Sequence, residues 1–386
     1  MLPDQHLLRI PGPSPIPPSV QLAMSQPMIG HRGQEAKELL KQIKPKLKFV
    51  FGTKQDVSII TGSGTAGLET AVVNAVKQGE EVLVVETGAF GERFSKICAA
   101  YQLKTHHLKV DWGNAVTPEA IQEYLRKHQN IKAVFTTYCE TSTGVLNPIE
   151  EIAKTVHTYS DALVIVDGVS CVGGVETKMD EWGIDILVTG SQKAMMLPAG
   201  LTFVAVSDRA WKVIEENEQP RFYLDLTKYR DNLIKDSTPF TPGLSLLFGL
   251  KQALKLMEEE GLKQVYSRHQ LMMKMTREAF RAHDIPLLTN DIAASPTVTA
   301  VNPTDFKAED LRSIIKSEFG LSIAGGQQHL KGKIFRIGHM GYCSVADVLQ
   351  TISIIEIGLT RIGKTIELGK GIRAAQEVIL EGNNNV

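Results

Sequence analysis

The chain has 386 residues, 43% of them hydrophobic, which is more than one hydrophobic core usually organises, so two unequal subdomains are expected and disordered or fibrous classes are excluded. Its 42 Lys and Arg nearly cancel 43 Asp and Glu, so no net field attracts nucleic acid or an anionic membrane, and small-molecule chemistry is the better starting point. Cys98, Cys139, Cys171 and Cys343 lie far apart with no CxxC pair, against a disulfide framework or a zinc site, and no apolar run is long enough to span a bilayer. A soluble protein of the reducing cytoplasm is expected, since the first residues also lack the pattern of a secretory signal.

In chain order, the proline-rich stretch Pro11–Pro18 predicts an extended arm that must lie on something. Leu39, Leu40, Ile43, Leu47 and Val50 recur at helical spacing within a helix over Lys37–Phe51. Short apolar runs then alternate with helical stretches. The runs are Val57–Ile60, Glu81–Val85, Lys132–Thr136, Leu163–Val166, Ile184–Val188 and Thr202–Val206; the helices are Ala66–Val76, Phe90–Tyr101, Pro118–Lys127 and Ile149–Tyr159. Runs apolar on both faces are what helix-covered parallel strands need, so this half predicts a doubly wound α/β domain with a large, mostly parallel sheet.

After about residue 207 the pattern changes. A helix over Arg209–Glu218 is followed by a polar stretch to Asp236, a long helix from Leu244 to about Glu260, and another over Leu262–His283. Strands at Thr297–Val301, Leu321–Ala324 and Ile334–Ile337 then mix with helices at Glu309–Phe319 and Val345–Ile362, predicting a smaller α+β C-terminal domain. The expected division is an arm over 1–30, a large domain over 31–260 and a small one over 261–386, with the terminal Asn run fraying.

Three loops follow three of the predicted strands and should share the rim where α/β sheets bind ligands. Thr61-Gly62-Ser63-Gly64-Thr65-Ala66-Gly67 suits a phosphate at a helix N-terminus, or else a structural tight turn; it lacks the Lys-[Ser/Thr] of a nucleoside triphosphatase loop. Asp167 ends an apolar strand, where a carboxylate needs a cation such as a protonated pyridine nitrogen; a helix cap or metal ligand is the alternative. Lys193 follows Thr189-Gly190-Ser191-Gln192 and precedes an apolar stretch, a setting in which a buried amine loses its proton and can form an imine, although most lysines are solvated.

Taken in order, Gly-Ser-Gly-Thr, Ser-Thr-Gly, Asp-Gly-Val-Ser, Gly-Ser-Gln-Lys and Arg-Ile-Gly resemble the class V (fold type I) aminotransferases, nearest to their alanine–glyoxylate and serine–pyruvate or serine–glyoxylate branch. The likeness runs from about Leu8 to beyond Gly341. It implies pyridoxal 5'-phosphate as cofactor, in a Schiff base with Lys193, with Asp167 at the ring nitrogen. It further implies Ser63, Gly64 and Thr65 as the phosphate cradle, Phe90 stacked on the ring where relatives often have Trp, and Thr141 at the ring hydroxyl. It also implies Val169 against one face of the ring and Gln192 as a cofactor contact just before the lysine. A partner subunit of a homodimer would add Thr238 and Thr241 to the phosphate site, Thr238 standing where relatives can have Tyr. Arg336 would grip the substrate carboxylate, which fits a guanidinium's planar fork, although an arginine on a strand can equally be a surface ion pair. Pro11-Gly12-Pro13, His31 and Arg32 match positions near the mouth of the site.

The expected reaction is a ping-pong transfer of an amino group from a small amino acid, alanine or serine, to a small 2-oxo acid, glyoxylate or pyruvate. Ureidoglycine–glyoxylate and phosphoserine aminotransferases are alternatives, the latter needing an extra anion site for which only His31 and Arg32 offer themselves. A cysteine desulfurase would carry His before the lysine and a Cys before the C-terminal arginine; here Gln192 precedes Lys193, and Leu321–Lys333 contains no cysteine. A non-catalytic nucleotide-binding protein would leave Lys193, Asp167 and Arg336 unexplained.

Overall fold

The structure, a computed structural model, describes residues 6–382. The Asn run at 383–385 lies outside the described residues.

Seven strands form the central sheet, in the spatial order Ser58–Gly62, Gly200–Val206, Ile186–Gly190, Leu163–Asp167, Ile131–Thr137, Glu81–Glu86 and Lys104–Lys109. Gly200–Val206 alone runs against the direction of the other six strands. Both faces are covered, which is why the strands read as unbroken apolar runs: Val164 and Val166 join one core with the helices Gln34–Phe51 and Leu244–Glu260, while Leu163 and Ile165 join another with Gly64–Ala75 and Ala89–Ala100. The chain is thus α/β, with a large doubly wound, mostly parallel sheet.

The strand Lys104–Lys109 is a correction to the sequence reading. It sits at the sheet edge with alternating half-exposed positions, so Lys-Thr-His-His-Leu-Lys has no apolar run to betray it. The polar stretch before Asp236 also contains a helix, Leu226–Leu233, and Leu321–Ala324 is split: Leu321–Ser322 pairs with Leu7–Leu8, whereas Ala324–Gly325 joins Val298–Val301 and Phe335–Gly338 in a three-stranded sheet.

The arm does find something to lie on. Beyond Leu7–Leu8, Arg9 NH donates to Ser322 O at 2.9 Å and Gly338 NH to Arg9 O at 2.8 Å, and Ser14 NH then reaches Gln192 O at 3.0 Å. The arm therefore ties the C-terminal strands to the loop carrying Lys193.

Candidate active site

Parallel strands end on one rim, so the loops after Gly62, Glu86, Asp167 and Gly190 converge without further design. At the first, Ser63 is the N-cap of the helix Gly64–Ala75, with extended φ −80° and ψ 167° and no side-chain cap bond. Ala66 NH and Gly67 NH both turn back to Ser63 O, which leaves the Gly64 and Thr65 amides without acceptors among the described residues and free for an anion. Gly67 lets this helix press on the sheet, since a Cβ there would come 2.6 Å from Val188 Cγ1. Behind the cradle, Gln192 Oε1 is buried with no partner among the described residues, and a Cβ placed on Gly190 would lie 2.9 Å from it and 3.5 Å from Gly64 N. The sequence-identified loop and Gln192 thus meet in space, and an orphaned buried amide marks a place built for a polar ligand.

Asp167 closes its strand in a fully packed setting. Burial raises its carboxyl from 3.8 to about 6; the Val169 amide, donating at 2.9 Å, opposes the rise, the charge of Glu140 adds to it, and Lys193 and Arg93 counter it. Val169 in turn abuts Gly64, where a Cβ would lie 3.0 Å from Val169 Cγ2. Thr141 shares a hydrogen bond with Ser170. One residue earlier, Glu140 is wholly buried and was not singled out from the sequence. Its carboxylate accepts from Phe90 NH at 3.1 Å, Gly91 NH at 3.0 Å and Ser142 NH at 3.1 Å, and so caps the helix that presents Phe90. Burial nevertheless pushes the Glu140 carboxyl up. Its contribution arises from contacts some 50 residues apart in sequence, which no local pattern displays.

Lys193 is buried, and burial lowers its ammonium from 10.5 to about 8, with Cys139 and Asp167 opposing and Arg336 and Arg93 assisting. Its Nζ donates to the Pro11 carbonyl, and Ser14 Oγ donates to Lys193 O at 2.7 Å. Gly12, at φ +97°, passes so close that a Cβ would fall 2.7 Å from Lys193 Cε. The arm residues noted from sequence are therefore part of the wall around the amine.

Arg336 lies on Phe335–Gly338 and is 6% exposed. Nε and Nη2 donate to Gly325 O at 3.0 and 2.7 Å, and Nη1 to Thr141 O at 2.8 Å. No carboxylate stands within ion-pair distance among the described residues, and burial lowers the guanidinium to about 10. It is not a surface ion pair. A buried cation held only by carbonyls is set up to receive an anion, and its two remaining N–H groups are free to do so.

The segment Thr238–Thr241 stands apart from this cluster in its contacts. Thr238 Oγ1 donates to Phe240 O at 2.7 Å and is buried, while Thr241 is exposed. Arg32 binds this segment, donating to Ser237 Oγ at 3.1 Å, to Thr238 O and to Pro239 O at 3.2 Å. Its fork is committed to the loop.

The family model for aminotransferase class-V matches residues 12–349. The chain belongs to the class-V aminotransferases. It is similar to a soluble hydrogenase small subunit of Synechococcus sp. (strain PCC 6716), 42% identical over 97% of this chain and 99% of that protein. It is 34% identical to a serine–glyoxylate aminotransferase of Methylorubrum extorquens over 98% of this chain and 97% of that one. Among solved structures, the ureidoglycine–glyoxylate aminotransferase of Bacillus subtilis superposes with a TM-score of 0.92 at 31% identity, covering 98% of this chain and 99% of that chain. The class-V aminotransferase is therefore an enzyme of amino-group transfer on the fold type I scaffold, a family that implies pyridoxal phosphate and amino and oxo acid substrates. Among the described residues no helix is long and apolar enough to cross a membrane.

Proposed function

We propose that this chain transfers an amino group from a small amino acid, alanine or serine, to glyoxylate or pyruvate, with pyridoxal phosphate held on Lys193. One observation carries the reading: Lys193 and Asp167, both buried, stand at the ends of neighbouring strands, beside a helix N-terminus whose first amides are free. Ser63, Gly64 and Thr65 would hold the phosphate and Gln192 would meet the cofactor through its amide; Phe90, Val169 and Thr141 would border the ring, and Asp167 would face its nitrogen. When bound, the cofactor supplies an electron-accepting ring and a carbon that carries the amino group between half-reactions.

The chain's own groups do the rest. Lys193, with its ammonium lowered to about 8, keeps an appreciable neutral fraction at physiological pH and can take and return the substrate's α-proton. Asp167, ionised at neutral pH despite burial, favours a proton on the group facing it. Arg336 receives the carboxylate that donors and acceptors share, so one cation orients both half-reactions. The arm over Lys193 shields the amine from water.

The desulfurase alternative is disfavoured because all four cysteines are buried, and burial raises Cys343, the one nearest Arg336 in sequence, to about 11. A phosphoserine site is disfavoured because Arg32 is engaged by its own loop. The enzyme is further read as a cytosolic homodimer in which the exposed Thr241 reaches the partner's phosphate site, with an arm over 1–30, a large domain over 31–260 and a small domain over 261–386.

The decisive experiment pairs spectra of the purified protein with a panel of amino donors and oxo acceptors. The expected result is a yellow protein that loses its long-wavelength band on adding alanine or serine and regains it with glyoxylate or pyruvate. A colourless protein that takes up no pyridoxal phosphate ends the proposal.

A further inference from the structure

Arg93 sits one helical turn after Phe90 on Ala89–Ala100. Its guanidinium lies over the Phe90 ring, 4.5 Å from the centroid, and its Nη1 donates to Thr65 Oγ1 at 3.3 Å. It forms no ion pair among the described residues. Two features favour an anion beside this cation. Arg93 is near the N-terminal end of its own helix, where the backbone dipole is already positive, and it faces Thr65 at the N-terminal end of Gly64–Ala75, where the same holds. Neither neighbouring carboxylate forms an ion pair with it: the oxygens of Glu140 accept from Phe90 NH, Gly91 NH and Ser142, and Asp167 meets Arg93 only through longer-range charge. Three sources of positive potential thus converge on one spot, beside free amides at Gly64 and Thr65, and a dianion is the ligand chemistry that satisfies all three.

We propose that Arg93 is a direct ligand of the cofactor's phosphate, completing the cradle of Ser63, Gly64 and Thr65 from the neighbouring helix. Thr65 then has two duties: its amide faces the phosphate and its hydroxyl holds the guanidinium in line. Arg93 spreads the same charge toward the ring, where it lowers both Asp167 and Lys193. This inference rests on the assignment of the glycine loop to pyridoxal phosphate.

The test titrates resolved apoprotein with pyridoxal phosphate and, separately, with pyridoxal, which lacks the phosphate, and follows binding by absorbance. Arg93→Gln should weaken pyridoxal phosphate roughly 10- to 100-fold, the loss expected for a charged hydrogen bond, and change pyridoxal by less than about two-fold. Arg93→Met keeps a hydrocarbon stem over Phe90 and should show the same selective loss, while Arg93→Lys should recover part of it. As a check independent of the aldehyde, inorganic phosphate should raise the melting temperature of the wild-type apoprotein more than that of Arg93→Met.

Equal losses for both aldehydes would mean that Arg93 acts through the Phe90 ring, and would overturn the assignment. So would unchanged cofactor affinity accompanied by a rise in KM for aspartate but not alanine, since that places a substrate's distal carboxylate at Arg93. A wild-type protein that binds neither aldehyde refutes the cofactor reading itself, an outcome distinct from a wild type that binds and variants that do not differ from it.

Discussion

Replacing Lys193 by Met should stabilise the cofactor-free protein while abolishing transamination. The ammonium falls from 10.5 to about 8 because burial strips its water, and 1.36 kcal/mol per pH unit converts that fall to about 3 kcal/mol withheld from the apoprotein at neutral pH. Met has similar length and no charge to desolvate. The gain is partly offset because the Pro11 carbonyl loses its donor, at about 1 kcal/mol. A net gain of about 2 kcal/mol is therefore expected at pH 7. Below about pH 8 the amine is charged in both folded and unfolded chains and the penalty is present in full. Between about 8 and 10.5 the folded chain holds fewer protons than the unfolded one, so wild-type stability rises with pH and the advantage of the variant fades. Thermal and urea unfolding of both apoproteins, at pH 7 and pH 10 and at one protein concentration, measure this directly. A variant no more stable than wild type at pH 7, or a gap that does not shrink by pH 10, refutes the reasoning.

Asp167→Asn keeps the acceptor for Val169 NH but removes a carboxyl raised from 3.8 to about 6. The wild-type apoprotein should lose up to about 3 kcal/mol as pH rises through that window, the variant should not, and its turnover should fall by orders of magnitude. Arg336→Lys preserves charge without the fork and should cut kcat/KM by roughly one to three orders of magnitude for alanine and glyoxylate alike, with cofactor affinity intact in a spectral titration. Gly12→Ala puts a methyl against Lys193 Cε at a positive φ and should lower the rate constant of single half-reactions by about tenfold or more while sparing cofactor affinity. Glu140→Gln puts an N–H donor in place of one of the two acceptor oxygens, against either the Gly91 or the Ser142 amide, and should cost about 1–3 kcal/mol in unfolding measurements.

Legibility in the sequence followed the range of the interactions. Strands buried on both faces announce themselves, and residues at their tips must share a rim, so Asp167, Lys193 and the glycine loop could be placed together from pattern and topology rules alone. The edge strand Lys104–Lys109 was invisible because its hydrogen bonds, not its side chains, hold it to Glu81–Glu86. Arg336 could be named from its motif, but its escape from ion pairing depends on Gly325 and Thr141, contributed from both sides of the sheet boundary. Arg93 and Glu140 carried no local signature, since their roles exist only once the helix Ala89–Ala100 has packed against the loop after Ile131–Thr137. Arg32 was noticed from its motif alone; that its guanidinium donates to a loop of its own chain appears only in the folded structure.

Among the described residues the strand Ser58–Gly62 pairs only with Gly200–Val206, Gly62 opposite Gly200 and Ser58 opposite Val204. That ladder partner is translated long after it. At 5–20 residues per second, roughly 7–30 s pass between the emergence of the two from the ribosome. Throughout that interval the nascent chain carries an unpaired β-branched segment bearing the very glycine loop on which the site depends. Chaperone occupancy of nascent chains should therefore peak after residue 62 and fall once Val206 has cleared the exit tunnel, and deleting Gly200–Val206 should leave the rest of the sheet with a sticky, unfinished edge.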